Sequence, residues 1–277
     1  MLLVIDVGNT NTVLGVFEGR ALRAHWRLTT NREQTADEYG ILIRNLFSLE
    51  GIDPAGISGI MIASVVPPLN ALLEEMAKKY FRMEALFLEP GTRTGMAIHY
   101  DNPSEVGADR IANAVAAFEK YGGPCVIVDF GTAITFDAVS EKGEYLGGVI
   151  CPGLGVAAEA LFERAARLPR VEIREPERVI GTNTVASMQS GLFYGAVGLV
   201  DGVLDRLCAV LGSGTRVVAT GGQAGLVASA SRYKVPVDPA LTLEGLRMIY
   251  ERNLDGRHSL KARKAEARDL KPAAQKQ

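Results

Sequence analysis

Two segments of this sequence concentrate the groups that bind phosphate. Asp6-Val7-Gly8-Asn9-Thr10-Asn11-Thr12 follows an apolar run from Leu2, and Asp129-Phe130-Gly131-Thr132-Ala133-Ile134-Thr135 follows one from Cys125. A glycine where a strand meets a turn lets the backbone approach a ligand closely. Successive N–H groups in such a turn form an anion-binding nest, to which Asn and Thr side chains add donors. The acid closing each strand can hold a cation that neutralises phosphate charge. One Asp-x-Gly is usually a plain β-turn. Here Asp-x-Gly-x-x-x-Thr recurs at an offset of 123 residues, which makes a pair. A third element, Arg216-Val217-Val218-Ala219-Thr220 running into Gly221-Gly222, is a small-residue turn that can lie flat against a purine and ribose.

These segments need a scaffold that repeats. Leu2 to Asp6, Asn11 to Phe17 and Ala21 to Thr29 read as strands, with a helix over Asp37 to Leu49. Ile57 to Val66 predicts a further strand, Leu69 to Tyr80 a helix, and Ala85 to Leu88 a short strand. After Pro124 the order returns: strands at Cys125 to Asp129, Ala133 to Ser140 and Tyr145 to Ile150, then a helix over Val156 to Arg167. A short helical pattern, Leu226 to Ser231, follows the Gly221-Gly222 turn. The recurrence predicts two like α/β domains with a cleft between them: 1–121, 122–255, and a basic tail over 256–277, expected to be disordered and dispensable.

Val185 to Leu207 predicts a long helix that carries Gly191, Gly195, Gly198 and Gly202 on one face. Each mid-helix glycine costs roughly 1 kcal/mol relative to alanine, so the face implies close backbone packing. The spacing alone fits either intramolecular packing or an interface between two copies.

Composition limits the partners. A formal net charge of -2 gives no electrostatic reason to expect nucleic acid or a membrane surface. The charge is uneven: from Arg257 to Gln277 seven Lys/Arg against two Asp/Glu give +5, leaving -7 on the rest. Cys125, Cys151 and Cys208 lie far apart, without the spacing of a zinc site or a disulfide framework. No apolar run reaches the ~20 residues that span a bilayer. The N-terminus meets Asp6 too early for a signal peptide, so a cytoplasmic protein is expected. No Walker A sequence occurs, and no H-R-D element accompanies Asp129-Phe130-Gly131, so the protein-kinase set of H-R-D and D-F-G is absent.

The segment Tyr100-Asp101-Asn102-Pro103-Ser104-Glu105-Val106-Gly107-Ala108-Asp109-Arg110 carries a local signal. Asn102 suits an N-cap, Pro103 N1, and Glu105 the reciprocal position of a capping box, which predicts a helix from about Pro103. Gly107 and Ala108 would let a backbone or ligand come close, with Asp109 near the helix N-terminal end facing the cleft. On chemistry alone, Asp109-Arg110 reads as a solvated surface pair.

With the opening Asp6-x-Gly8-Asn9-Thr10-Asn11-Thr12, the Asp129-Phe130-Gly131-Thr132 hairpin and the run Gly147-Gly148-x-Ile150-x-Pro152-Gly153, this segment resembles type III pantothenate kinases over about residues 1 to 255. These kinases belong to the actin, sugar kinase and chaperone ATPase superfamily, so the resemblance implies duplicated actin-like (ribonuclease H-like) domains. It implies ATP-dependent phosphorylation of pantothenate to 4'-phosphopantothenate, the first step towards coenzyme A. By the same resemblance Asp109 is the general base, and Tyr100, Gly107, Ala108 and Arg110 belong to the pantothenate pocket. A planar guanidinium fork at Arg110 suits an anionic substrate. The segment Asp6, Val7, Gly8, Asn9, Thr10, Asn11, Thr12 and Val13, with Thr132, would bind the ATP phosphates. Asp6 would orient Mg²⁺ through water, and Asp129 would hold K⁺ or NH₄⁺. A homodimer is implied, with Thr184 reaching the pantothenate of its partner. The alternatives are a non-catalytic nucleotide-binding transcriptional accessory factor and a kinase for another small alcohol.

Overall fold

The computed structural model describes residues 1–254; the proposed tail over 256–277 lies outside the described residues. The first sheet is built from β1 (Leu2–Val7), β2 (Asn11–Glu18), β3 (Ala21–Thr29), β4 (Gly59–Ser64) and β5 (Leu86–Phe87), in the order β3-β2-β1-β4-β5, with the central β1 and β4 almost wholly buried and the edge strand β3 alternating. β1, β2 and β3 are antiparallel, while β4 and β5 join in parallel. The second sheet repeats the plan with β6 (Cys125–Phe130), β7 (Ala133–Val139), β8 (Tyr145–Pro152) and β9 (Arg216–Thr220), ordered β8-β7-β6-β9. A parallel bridge between Ala219 and Val237 stands where a fifth strand would pair. This is the duplicated ribonuclease H-like architecture that the repeated hairpins predict.

Helices α1 (Ala36–Leu49) and α2 (Asn70–Phe81) cover the outer face of the first sheet, with Ile43, Phe47, Leu73 and Met76 fully buried against Leu3 and Ile5. A reciprocal capping box between Thr35 and Glu38 starts α1. Between the sheets lie α3 (Ala108–Tyr121) and α7 (residues 241–254), whose Ala112, Val115, Leu246 and Ile249 share one core with Val4 and Met61 of the first sheet and Ile127 of the second. The outer face of the second sheet packs against α4 (Leu154–Arg164), α5 (Thr184–Leu211) and α6 (Ala224–Ala228) through Phe136, Val200 and Leu204.

Two local expectations are corrected, and one element was not expected at all. Asn102 does cap, and its side chain both accepts from the Ser104 N–H and donates to Glu105. It caps only a 3₁₀ turn, Pro103–Glu105; Val106 is extended, and α3 starts at Ala108 with Gly107 as N-cap. The strand expected over Ile57 to Val66 is shortened to Gly59–Ser64, because Pro54 and Pro67 each open a 3₁₀ turn beside it. Finally, α7 has no counterpart among the elements expected from the sequence. Its Gly245 is where it crosses α3: a Cβ there would collide with the Ala112 carbonyl. Close packing against α3 thus outweighs the low helix propensity of glycine.

Candidate active site

The two hairpins face each other across a cleft of about 310 Å³. Parallel pairing of β1 with β4 and β6 with β9 places Asp6 and Asp129 at corresponding strand ends, both lining the cleft. At the tips the Thr10 and Thr132 hydroxyls hydrogen-bond each other at 2.8 Å, so the halves touch through the residues expected to hold phosphate. Gly8, Asn9, Asn11 and Val13 also line this space. Arg32 donates to Asn9 Oδ1 at 3.0 Å and fixes the amide orientation. Val7 and Thr12 do not line it: both are fully buried, and the Thr12 hydroxyl is bonded to Thr30 at 2.9 Å.

Asp109, in the first turn of α3, reaches the same cleft. Its Oδ1 accepts from the Arg110 N–H at 2.8 Å, while burial raises its pKa above the usual carboxylate value. Asp6 is raised well above its usual value, first by burial and then by the charges of Asp109 and Asp129. Burial and Asp109 push Asp129 up to about 7, although Asn113 donates to its Oδ2 at 3.0 Å and opposes the shift. Carboxyls crowded in this way favour a proton or a cation. The Thr135 hydroxyl, also lining the cleft, is buried without a partner among the described residues. Among the described residues no cluster of three or more His, Cys, Asp or Glu could cage a metal ion. The carboxyls of Asp6, Asp109 and Asp129 lining the cleft fit cations that take one or two carboxylate oxygens and complete their shells with phosphate oxygens and water.

The remaining sequence-predicted residues form two further groups. Arg110 is 8% exposed and turns under β8, where its Nε donates to Asp137 at 2.7 Å. Tyr145 donates to the same carboxylate oxygen at 2.7 Å, and Arg110 Nη2 keeps no partner among the described residues. Burial pushes Asp137 up to about 6 despite the guanidinium. A Cβ at Gly148 would collide with the Phe136 carbonyl oxygen and stand 2.8 Å from Arg110 Nη2, so glycine there lets β8 lie close to β7 and leaves space beside the guanidinium. Tyr100 packs beside Tyr145 at 6.4 Å between ring centroids. Gly107 and Ala108 line an adjoining cavity of about 490 Å³, which shares Val65 with the cleft. Thr184 is in neither place; it lines a groove with Leu161, Met188 and Gly191 at the start of α5.

Sequence reasoning missed four residues here. Asn113, fully buried, donates to Asp129 and accepts from Thr242 at 2.7 Å, tying α3 to both walls. It stands four residues after Asp109 on one helix, a spacing that puts both on one face and could have revealed it. Arg27 enters from β3, opposite Val13 in register. Asp137 gave no signal beyond an acid inside a strand, and Thr242 belongs to the unassigned α7. The Gly221-Gly222 turn does line the cleft, and Gly221 has φ +94°. A Cβ at Gly221 would stand 2.6 Å from the Phe130 nitrogen, so only glycine lets β9 pass this close to β6.

Residues 2–206 match the family model described as type III pantothenate kinase. The chain is 61% identical over 264 residues to the type III pantothenate kinase of Koribacter versatilis (strain Ellin345), covering 91% of this chain and 96% of that one. To the enzyme of the same name from Myxococcus xanthus (strain DK1622) it is 61% identical over 253 residues, covering 91% and 99%. Among solved structures, a Campylobacter jejuni chain described as a provisional Baf family transcriptional activator aligns with TM-score 0.58 at 21% identity, covering 91% of this chain and 99% of that one. The ADPNP-bound activator of 2-hydroxyisocaproyl-CoA dehydratase from Clostridium difficile aligns with TM-score 0.52 at 13% identity, covering 93% and 97%. At such identities these two likenesses show a shared actin-like fold alone. The family match over most of the chain and the close relatives settle the lineage: this chain belongs to the type III pantothenate kinase family.

Proposed function

We infer that the chain is an ATP-dependent kinase that phosphorylates pantothenate to 4'-phosphopantothenate, the entry to coenzyme A synthesis. Family membership supports the activity. The observation that carries the residue assignment is a half-buried Asp109 at the mouth of a cleft walled by two phosphate hairpins.

In this reading the primary hydroxyl of pantothenate attacks the γ-phosphorus of ATP. The new O–P bond forms as the bond to the bridging β,γ-oxygen breaks and ADP leaves, while the hydroxyl proton passes to Asp109. A base whose pKa is lifted towards neutrality suits that transfer. Gly8, Asn9, Thr10, Asn11 and Thr132 bind and orient the phosphates through N–H, amide and hydroxyl donors. Asp6 is the residue to orient Mg²⁺ through water, and Asp129, beside the unpaired Thr135 hydroxyl, the residue to hold K⁺ or NH₄⁺. Bound there, such cations supply positive charge against the oxygens of the transferring phosphoryl group. Tyr100 and Arg110 are kept as pantothenate-pocket residues in this reading, Arg110 retaining a buried Nη2 without a partner among the described residues.

A homodimer completes this reading. Among the described residues a Cβ at Gly191, Gly195 or Gly198 would find nothing within 4 Å, and one at Gly202 would meet only Arg206 of the same helix, so this glycine face packs against no other described element. Exposed Val185 and Tyr194 on α5, with Val156 and Phe162 on α4, give the surroundings an apolar character. Thr184, remote from Asp109 in its own chain, would reach the pantothenate pocket of the second copy. We keep the division at 121/122, in the loop between the sheets, with α3 and α7 shared between the halves. Among the described residues no helix is long and apolar enough to cross a membrane.

The test is ATP consumption by the purified chain with pantothenate against a panel of sugars and acyl-amide alcohols. Turnover selective for pantothenate is expected. Turnover with another alcohol would replace the substrate, and none at all, with ATP still bound, would favour an accessory factor.

A further inference from the structure

Arg27 has no assigned task, and its placement gives it one. The strand β3 alternates exposed and half-buried positions, with Trp26 and Leu28 turned to the core beneath α1 and α2. Arg27 therefore projects from the opposite face, where its register partner Val13 closes the first phosphate hairpin. From there it lines the cleft, and its guanidinium crosses to the second half: a Cβ on Gly222 would stand 3.4 Å from Nη1 and 3.6 Å from Cζ. Glycine at 222 leaves that space open.

The charges around it are lopsided. Asp6, Asp109 and Asp129 line the cleft, and among the described lining residues Arg27 alone is cationic. Despite the acids nearby, Arg27 makes no hydrogen bond or ion pair with any described residue. Arg27 is solvent-exposed within the cleft, where an arginine would be expected to pair with the nearest carboxylate. This one stays between the hairpin of one half and the glycine turn of the other, with all its donors unused. A guanidinium so placed matches a phosphate, whose oxygens accept its planar fork two at a time.

We propose that Arg27 is a phosphate-binding residue of the nucleotide site, reaching from β3 to the Gly221-Gly222 turn to hold the phosphate chain of a nucleoside triphosphate. It supplies the protein-borne positive charge that the cleft otherwise lacks. The proposal rests on the nucleotide reading of the cleft and is independent of which alcohol is phosphorylated.

The experiment compares binding of ATP, ADP and adenosine to full-length wild type, Arg27→Met and Arg27→Lys by calorimetry without pantothenate. Methionine keeps the apolar stem and removes the fork; lysine keeps a point charge. For Arg27→Met, ATP affinity should fall about 10- to 100-fold, the span for losing charge-assisted hydrogen bonds. ADP should lose less, adenosine should be unchanged, and Arg27→Lys should recover part of the ATP affinity. In turnover the KM for ATP should rise while that for pantothenate holds. Unchanged ATP affinity in folded Arg27→Met overturns the proposal, as does equal loss of ATP and adenosine, which would mean that the side chain only shapes the cleft. If Arg27→Met does not fold, the ratio of ATP to adenosine affinity in Arg27→Lys decides: a lowered ratio supports the proposal and an unchanged one overturns it. A wild type that binds ATP yet ignores pantothenate would sink the proposed activity and leave this comparison intact.

Discussion

The two hairpins share a scaffold and differ by one residue. The first turn, Gly8-Asn9-Thr10, separates β1 from β2, whereas only Gly131-Thr132 separates β6 from β7. The cross-strand partner of Asp6 is accordingly Val13, while that of Asp129 is Thr135. In a strand a shift of one residue moves every side chain to the other face. Thr12 and Thr135, equivalent in the repeated sequence pattern, therefore part company. Thr12 is buried against Thr30, and Thr135 presents an unpaired hydroxyl to the cleft. The longer hairpin has more tip donors and suits phosphates. The shorter one keeps its carboxylate against Asn113 of the helix that carries Asp109, which suits a cation beside the base.

The proposed base, Asp109, separates chemistry from binding, and there the largest effect is expected. Asp109→Asn should lower kcat by about 10²–10⁴ while ATP affinity is retained, the usual span for losing a general base. Because burial raises the pKa of Asp109, the wild-type kcat/KM should fall on the acid side with a midpoint above the ordinary carboxylate range. The base must be ionised to work, so activity is present above that midpoint and lost below it. A pH–rate profile checks this, and an acid limb at the usual carboxylate value would contradict it.

A smaller effect tests whether the site spans two chains. Asp109→Asn and a bulky change at Thr184, each inactive alone, should complement when mixed, since in the mixed dimer one pocket carries both lesions and the other none. Random exchange of equal amounts should restore about a quarter of wild-type activity, as two-fold symmetry requires. No recovery despite demonstrated subunit exchange would place Thr184 outside the partner's pocket.

The smallest effect probes the hairpin turns themselves. A Cβ at Gly8 would stand 3.0 Å from the Asn11 carbonyl oxygen, whereas at Gly131 the nearest atom is 3.6 Å away. Gly8→Ala should therefore destabilise the protein by about 1 kcal/mol more than Gly131→Ala. Denaturant unfolding of the two variants measures the difference, and equal losses would deny that the turns are built differently.

Much of this comparison was legible in the sequence, and what was hidden has physical causes. Apolar runs ending in Asp, followed by donor-rich turns, gave both hairpins and the duplication. The repeated motif could not reveal that one turn is a residue shorter, because register is set by pairing with a neighbouring strand. The N-cap at Asn102 was legible, but Glu105 accepts from the Asn102 side-chain amide and not from its backbone N–H as a capping box would require, and a cap does not fix how many residues follow it in a helix. Helix α7 escaped because Gly245 lowers local helix propensity, and the reason for that glycine lies in α3, more than a hundred residues earlier. Arg27 was visible only as a polar position on an alternating strand; its use depends on the Gly221-Gly222 turn folding back across the cleft.

The division of labour between the hairpins is tested most directly by monovalent-cation dependence in wild type and Asp129→Asn. Both would be prepared in a bulky organic-cation buffer, and K⁺ or NH₄⁺ titrated at constant ionic strength. Turnover, ATP affinity and the thermal shift produced by the ion would be read together. The account predicts that wild type is inactive until the ion is added and is stabilised by it. Asp129→Asn should lose both responses while its first hairpin still binds ATP. Full wild-type activity with neither ion present, or an unaltered ion response in Asp129→Asn, would contradict the account.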